Sequence, residues 1–408
     1  MNYILDKINK KYRNNRIIVA LFLGSFVSFM ILYSSQPLFS VYTIEYGVSP
    51  ATSSLTLSVT TAFLAITLLL ISFFSDYFDR KKLMFISLFS SSFLCILISQ
   101  STNFSTLLIL RALQGITLAG YPSIAMAYIS ENIEKEKTGL IMGIYLSGTA
   151  IGGLGGRLIT GILTDLFSWK FAFLIIGLFS LLISMWFFLN LPKYHIPQNT
   201  ISYNKMKSAF ILQLTNYKIL CLFGLSFILM GCFVTVYNYL GFLLISPPFN
   251  LNQATIGFVF VIYLVGSFSS TFMGNLSNNI GNNKGVFSNI LLMLVGLMLT
   301  LMNNLFIIII GLAIFTFGFF GSHSIASNWV GSLATNKSQA SSLYLFFYYL
   351  GSSVIGTSSG LVWKHFRWNG LVLTISILII FAMILVLFLS INNTSSKQFF
   401  TKKVIETK

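Results

Sequence analysis

Apolar runs about as long as a bilayer is thick alternate along this chain with short polar connections. About 20 apolar residues in helical form cross a hydrocarbon slab. The runs predict twelve spans, at 17–42, 52–74, 83–100, 105–130, 139–163 and 169–191, then 218–245, 254–280, 284–302, 305–330, 340–363 and 369–391. They are too long, and alternate too poorly, for the strands of a membrane barrel. Lipid offers no partner to an exposed peptide group, so helix is the remaining geometry.

The longest polar connection follows the sixth span and divides the chain into two hydrophobic halves. The expected organisation is an N-terminal segment 1–16, a six-helix bundle 17–191, a linker 192–217, a second bundle 218–391 and a tail 392–408. The halves echo each other. Ser72-Phe-Phe-Ser-Asp76 leads into Asp79-Arg80-Lys81-Lys82 after span two, and Gly274-Asn-Leu-Ser-Asn278 leads into Gly281-Asn-Asn-Lys284 after span eight. Asn278 stands 202 residues after Asp76. Internal duplication of this kind marks secondary transporters, with the solute site between the repeats. The fold class expected is therefore all-α and integral to the membrane, with twelve helices in two pseudo-symmetric bundles of six.

Composition sharpens this picture. Of 408 residues, 55% are hydrophobic and 8% charged, and mean hydropathy is +0.83. Soluble domains carry about 25% charged residues. The net charge of +16 suggests nucleic acid only until the cations are located. Lys170, Lys364 and Arg367 fall in odd-numbered connections or at their edges, Arg111 and Arg157 fall deep inside spans, and every other Lys and Arg lies at a terminus or in an even-numbered connection or at its edge. That bias places both termini in the cytoplasm and leaves no basic patch for nucleic acid. The basic stretch Met1 to Arg16 precedes an apolar run too long for a signal peptide, so span one is read as uncleaved. Cys95, Cys221 and Cys232 lie in apolar runs without metal-ligand spacing and read as small buried hydrophobes.

Candidate chemistry lies where polarity interrupts the spans. A guanidinium in hydrocarbon is costly and faces a bundle interior or a wet cavity, which singles out Arg111 and Arg157. Gln114 lies one turn from Arg111 on the same face. Either this pair supports coupling or solute polarity, or Arg111 ties helices together through their carbonyls. Gly115, Gly148, Gly152 and Gly156 remove side chains from helix faces and admit close helix packing. Asp76, Arg80 and Lys81, echoed by Asn278, form a candidate cytoplasmic gate. His323 suits proton coupling by its ordinary titration range, or serves as a hydrogen-bonded structural residue. Gln36, Tyr237, Asn238 and Asn328 are candidate cavity-lining residues. No P-loop, zincin or dinucleotide-binding pattern is present, so neither a cofactor, a metal nor an enzymatic activity is expected.

These motifs resemble the major facilitator superfamily, in its drug–proton antiporter branch. Asp76, Arg80 and Lys81 match the superfamily's loop motif, with Ser72 and Asp79 in place of two glycines. Arg111, Gln114 and Gly115 match the branch's RxxQG motif. The span-five glycines resemble its antiporter motif, with Gly153 in place of the proline and Arg157 in place of the last glycine. Gly152 to Asp165, His323 to Gly331, Gln339 to Gly360 and Trp368-Asn369-Gly370 resemble the YnfM-type inner-membrane transporters of enteric bacteria. The resemblance implies a major facilitator fold working by alternating access, and proton-linked efflux of a small solute. It further implies a functional monomer in a bacterial inner membrane. Uptake or facilitated diffusion without proton coupling is the alternative, and a membrane-embedded enzyme a remote one.

Overall fold

The computed structural model describes residues 2–74, 79–132, 135–192, 210–334 and 337–405. Among them every regular element is helical. Among the described residues, ten helices are long and apolar enough to cross a membrane: Asn15–Tyr46, Pro50–Ile71, Arg80–Ser99, Phe104–Met126, Trp169–Asn190, Tyr217–Ile245, Gln253–Ile280, Asn282–Leu299, Leu305–Leu333 and Gln339–Ser390. The last is 52 residues long and is broken at Arg367, whose φ of 52° and ψ of −146° no helix contains. It therefore holds both the eleventh and the twelfth predicted spans. The fifth corresponds to the helix Lys135–Leu166.

The helices begin where a short polar side chain can take up the orphaned N–H groups of the first turn. Asp79 Oδ1 accepts from Lys81 N at 2.9 Å and Lys82 N at 3.2 Å. Asn103 accepts from Thr106 N, Ser168 from Phe171 N, Asn252 from Thr255 N and Asn304 from Phe306 N. These caps set where spans three, four, six, eight and ten start.

Three spans predicted as continuous are interrupted. Span one stops at Tyr33, turns through the short 3-10 segment Gln36–Leu38 and resumes as Phe39–Tyr46. Pro37 has no N–H to continue the ladder. Span four breaks between Leu118 and Gly120, and span eight passes through a 3-10 turn at Phe260–Ile262.

The chain forms two compact units. The first comprises 1–203 with 237–261 and 356–364, so it includes one end each of spans seven, eight and eleven. Its tightest packing is span five on span one. A Cβ at Gly148, Gly152 or Gly156 would strike the carbonyl oxygen of Phe22, Phe26 or Met30 respectively. Both series advance four residues at a time, so one stripe of each helix meets the other backbone to backbone. The second unit comprises 204–236, 262–355 and 365–408. Spans nine and ten meet there in the same manner at Gly296, Gly311 and Gly318, and the rings of Phe233 and Phe319 stack at 3.9 Å.

Candidate functional site

The break in span one organises the polar interior of the first unit. A helix that ends leaves its last carbonyls without intrahelical donors. Ile31 and Leu32 are two of them, and Arg111 of span four turns its guanidinium toward both. NH1 donates to the Ile31 carbonyl at 3.3 Å and NH2 to the Leu32 carbonyl at 2.9 Å. NH2 also donates to Ser35 Oγ at 3.0 Å, Nε to the Thr56 carbonyl of span two at 2.8 Å, and NH1 to Gln114 Oε1 at 2.5 Å. A guanidinium has five N–H donors, and five acceptors surround this one. Gln114 passes the connection to span three, donating Nε2 to the Ser91 carbonyl at 3.0 Å. Arg111 and Gln114 are both completely buried. Gly115 completes the motif, because a Cβ there would collide with the Thr60 carbonyl. The three residues act as one knot tying four spans, with every Arg111 donor engaged inside the protein.

Arg157 of span five sits differently. Its guanidinium carbon lies 4.1 Å from the centre of the Tyr33 ring and 4.9 Å from that of Phe260, a cation between two aromatic faces. NH1 donates to the Gly153 carbonyl at 2.7 Å, and Nε donates to Gln36 Oε1 at 2.8 Å. Gln36 then donates Nε2 to Asn238 Oδ1 at 2.8 Å. All three side chains are buried. Gln36 and Asn238 are 202 residues apart, the spacing that relates Asp76 to Asn278. Both residues belong to the first compact unit. Tyr237, also buried, packs its ring 5.5 Å from Phe260.

Span five meets the start of span eight along one helical stripe. Gly257 lies against the Arg157 carbonyl, and a Cβ on Gly161 would come within 2.8 Å of the Gln253 carbonyl. One turn further, Asp165 Oδ2 accepts from Ala254 N at 2.6 Å, a carboxylate at a helix N-terminus. Gln253 donates Nε2 to Ser40 Oγ at 2.9 Å. Nearby, Trp169 Nε1 donates to Glu45 Oε2, and Lys170 pairs with Glu45 at 3.7 Å. None of Glu45, Asp165 or Gln253 stood out in the sequence. Asp165 falls one residue before the end of a helix, and its partner Ala254 is 89 residues away, a pairing that leaves no local pattern.

The remaining candidates are dispersed. His323 lies in the second unit, with Nδ1 3.0 Å from Tyr344 Oη and its ring 4.6 Å from that of Tyr348. Asn328 and Asn278 are exposed. Arg80 is buried at the start of span three, and Lys81 Nζ sits 4.9 Å from the centre of the Phe188 ring. Asp76 lies outside the described residues. Asp79, which departs from the loop motif, caps span three.

A chain of apolar, interrupted helices with an internal sequence echo and buried polar groups among its spans is a multi-pass membrane transport protein. The family model described as Major Facilitator Superfamily matches residues 21–356, and the chain belongs to that superfamily. It is 44% identical over 370 residues to the uncharacterized MFS-type transporter YybF of Bacillus subtilis, covering 90% of this chain and 92% of that one. It is 38% identical over 371 residues to the inner membrane transport protein YnfM of Escherichia coli, covering 90% and 89%. Among solved structures it superposes on a bacterial homolog of the human lysosomal transporter Spinster, in its inward-facing unoccupied conformation. The TM-score is 0.75 at 15% identity, over 92% of this chain and 96% of that one. The nucleoside transporter NupG gives 0.74 at 15% identity, over 91% and 99%. At such identity these two establish the shared fold. The chain is thus a transporter of a small molecule rather than an enzyme.

Proposed function

We propose that this chain exports a small solute across a bacterial inner membrane by alternating access, driven by inward proton flow. It would work as a monomer, with both termini in the cytoplasm, with bundles at 17–191 and 218–391, and without nucleic acid as a partner. The observation that carries the reading is the Arg157–Gln36–Asn238 chain. It supports this reading by joining a buried charge to polar groups of spans one and seven, which hold matching positions in the two halves of the sequence, and transporters built from repeats hold their solute between the repeats. The contacts of Asp165, Gly161 and Gly257 with the start of span eight supply an end that closes. With cytoplasmic termini, that end faces outward. His323, bonded to Tyr344, is the candidate proton carrier. Arg111 is assigned to holding spans one to four together.

Counterflow in proteoliposomes, with and without an imposed pH gradient, tests this. Flux that follows the gradient supports antiport. Flux indifferent to it favours the facilitated-diffusion alternative, and absence of any flux from folded protein defeats the transport reading.

A further inference from the structure

The hydrogen-bond chain that starts at Arg157 has a direction, and the direction names the chemistry of the solute. Amide groups of Asn and Gln can usually be turned end for end without changing their outline. Here they cannot. A guanidinium donates and never accepts, so the Gln36 atom facing Arg157 Nε at 2.8 Å must be its oxygen. Gln36 therefore faces Asn238 with its NH2 group, and Asn238 must answer with its oxygen at 2.8 Å. The amide nitrogen of Asn238 is left at the end of the chain. It is sealed from solvent and makes no hydrogen bond, on a residue that is 1% exposed. A buried donor without an acceptor is costly, and the polarity of the relay prevents a flip from relieving it.

We propose that Asn238 is the solute-recognising residue and that the solute presents a carboxylate to its Nδ2. The inference rests on the transport reading above and deepens it. A donor pair asks for an oxygen. The positive charge of Arg157, behind Gln36, selects an anionic oxygen over a neutral one, because low dielectric strengthens charge-assisted bonds. The rings of Tyr33, Phe260 and Tyr237, which surround Arg157 and one another, suit an organic body attached to that carboxylate. The solute meets the amide when the surrounding helix ends separate.

Thermal unfolding of the purified full chain tests the proposal with matched pairs: benzoate against benzylamine, hexanoate against hexylamine, succinate against putrescine. At least one carboxylate is expected to raise the unfolding midpoint while its paired amine does not. Asn238→Asp keeps the size, removes both donors and adds a repelling charge. It should weaken the carboxylate response roughly ten- to hundredfold in apparent Kd and transfer preference to the amine. Asn238→Ala deletes the donors without adding charge and should show the same loss without the transfer. The proposal falls if no carboxylate stabilises the protein, if paired amines do so equally, or if both variants respond like the wild type. Counterflow of the amines separates the two readings: if they move, the chain is a transporter and the carboxylate assignment alone is wrong.

Discussion

Arg111 and Arg157 are the same side chain in the same apolar slab, and the protein uses them in opposite ways. Arg111 is saturated, with four backbone or hydroxyl oxygens and one glutamine oxygen on its five donors. Arg157 is held between two rings and passes its polarity outward through Gln36 to an amide that ends unmatched. A buried cation can therefore be cement or a working group. What separates the two is where the last donor of the network points.

The largest expected effect tests the cement. Arg111→Ala deletes five buried hydrogen bonds at once, among them the bond to the Leu32 carbonyl at the broken end of span one, and should cost about 3–5 kcal/mol of stability, read as a fallen unfolding midpoint in detergent. Arg111→Lys should not rescue it, because an ammonium offers three donors to five acceptors. Arg157→Lys should cost only about 1–2 kcal/mol and act mainly on transport per folded molecule. Equal losses at the two sites would erase the distinction between them. Next comes Gly152→Ala, whose new methyl strikes the Phe26 carbonyl and should cost about 1–3 kcal/mol. Gly143→Ala, where nothing lies within 4 Å, is the matched control and should be near neutral.

The spans were legible because hydropathy alone decides what lipid accepts, and the structure places helices on all twelve predicted segments. The motif Arg111-Gln114-Gly115 was legible as a unit, but not what it does. Its acceptors come from residues 31, 32, 35 and 56, and such distant pairings leave no periodic trace. The interruption of span one was signalled by Pro37, yet the surrounding apolar run concealed it. Asp79 reads as a departure from the loop motif until its carboxylate is seen capping span three, a signal that a short polar residue before an apolar run does carry. The spacing of 202 residues aligned Gln36 with Asn238, and only the fold could show that aligned residues touch.

Two glutamines sharpen the comparison at smaller cost. Gln114 and Gln36 each present an oxygen to a buried arginine. Gln114→Leu and Gln36→Leu should each lose about 1–3 kcal/mol of stability, the penalty for a stranded donor. Their transport should differ. Gln114→Leu should retain solute flux per folded molecule, because it only loosens a knot. Gln36→Leu should abolish it, because it cuts Asn238 from the charge. Parallel flux losses would return both arginines to a purely structural role.

The smallest effect lies at the far end of the stripe that carries Arg157. Arg157, Gly161 and Asp165 follow one another at four-residue spacing on span five, and each meets the first turns of span eight. Asp165 is exposed, so its charge acts on the helix N-terminus through water and salt. The gain is about 0.3–1 kcal/mol. Asp165→Asn keeps an acceptor for Ala254 N–H and loses only that charge. Hydrogen exchange at Ala254 should then quicken roughly two- to fivefold, the same free energy read as a rate. Asp165→Ala removes the acceptor and should quicken it further. If span eight is held on span five by the close approach at Gly161 and Gly257 alone, neither substitution will change exchange at Ala254. The start of span eight would then owe its hold on span five to packing, and the charge of Asp165 would play no part in it.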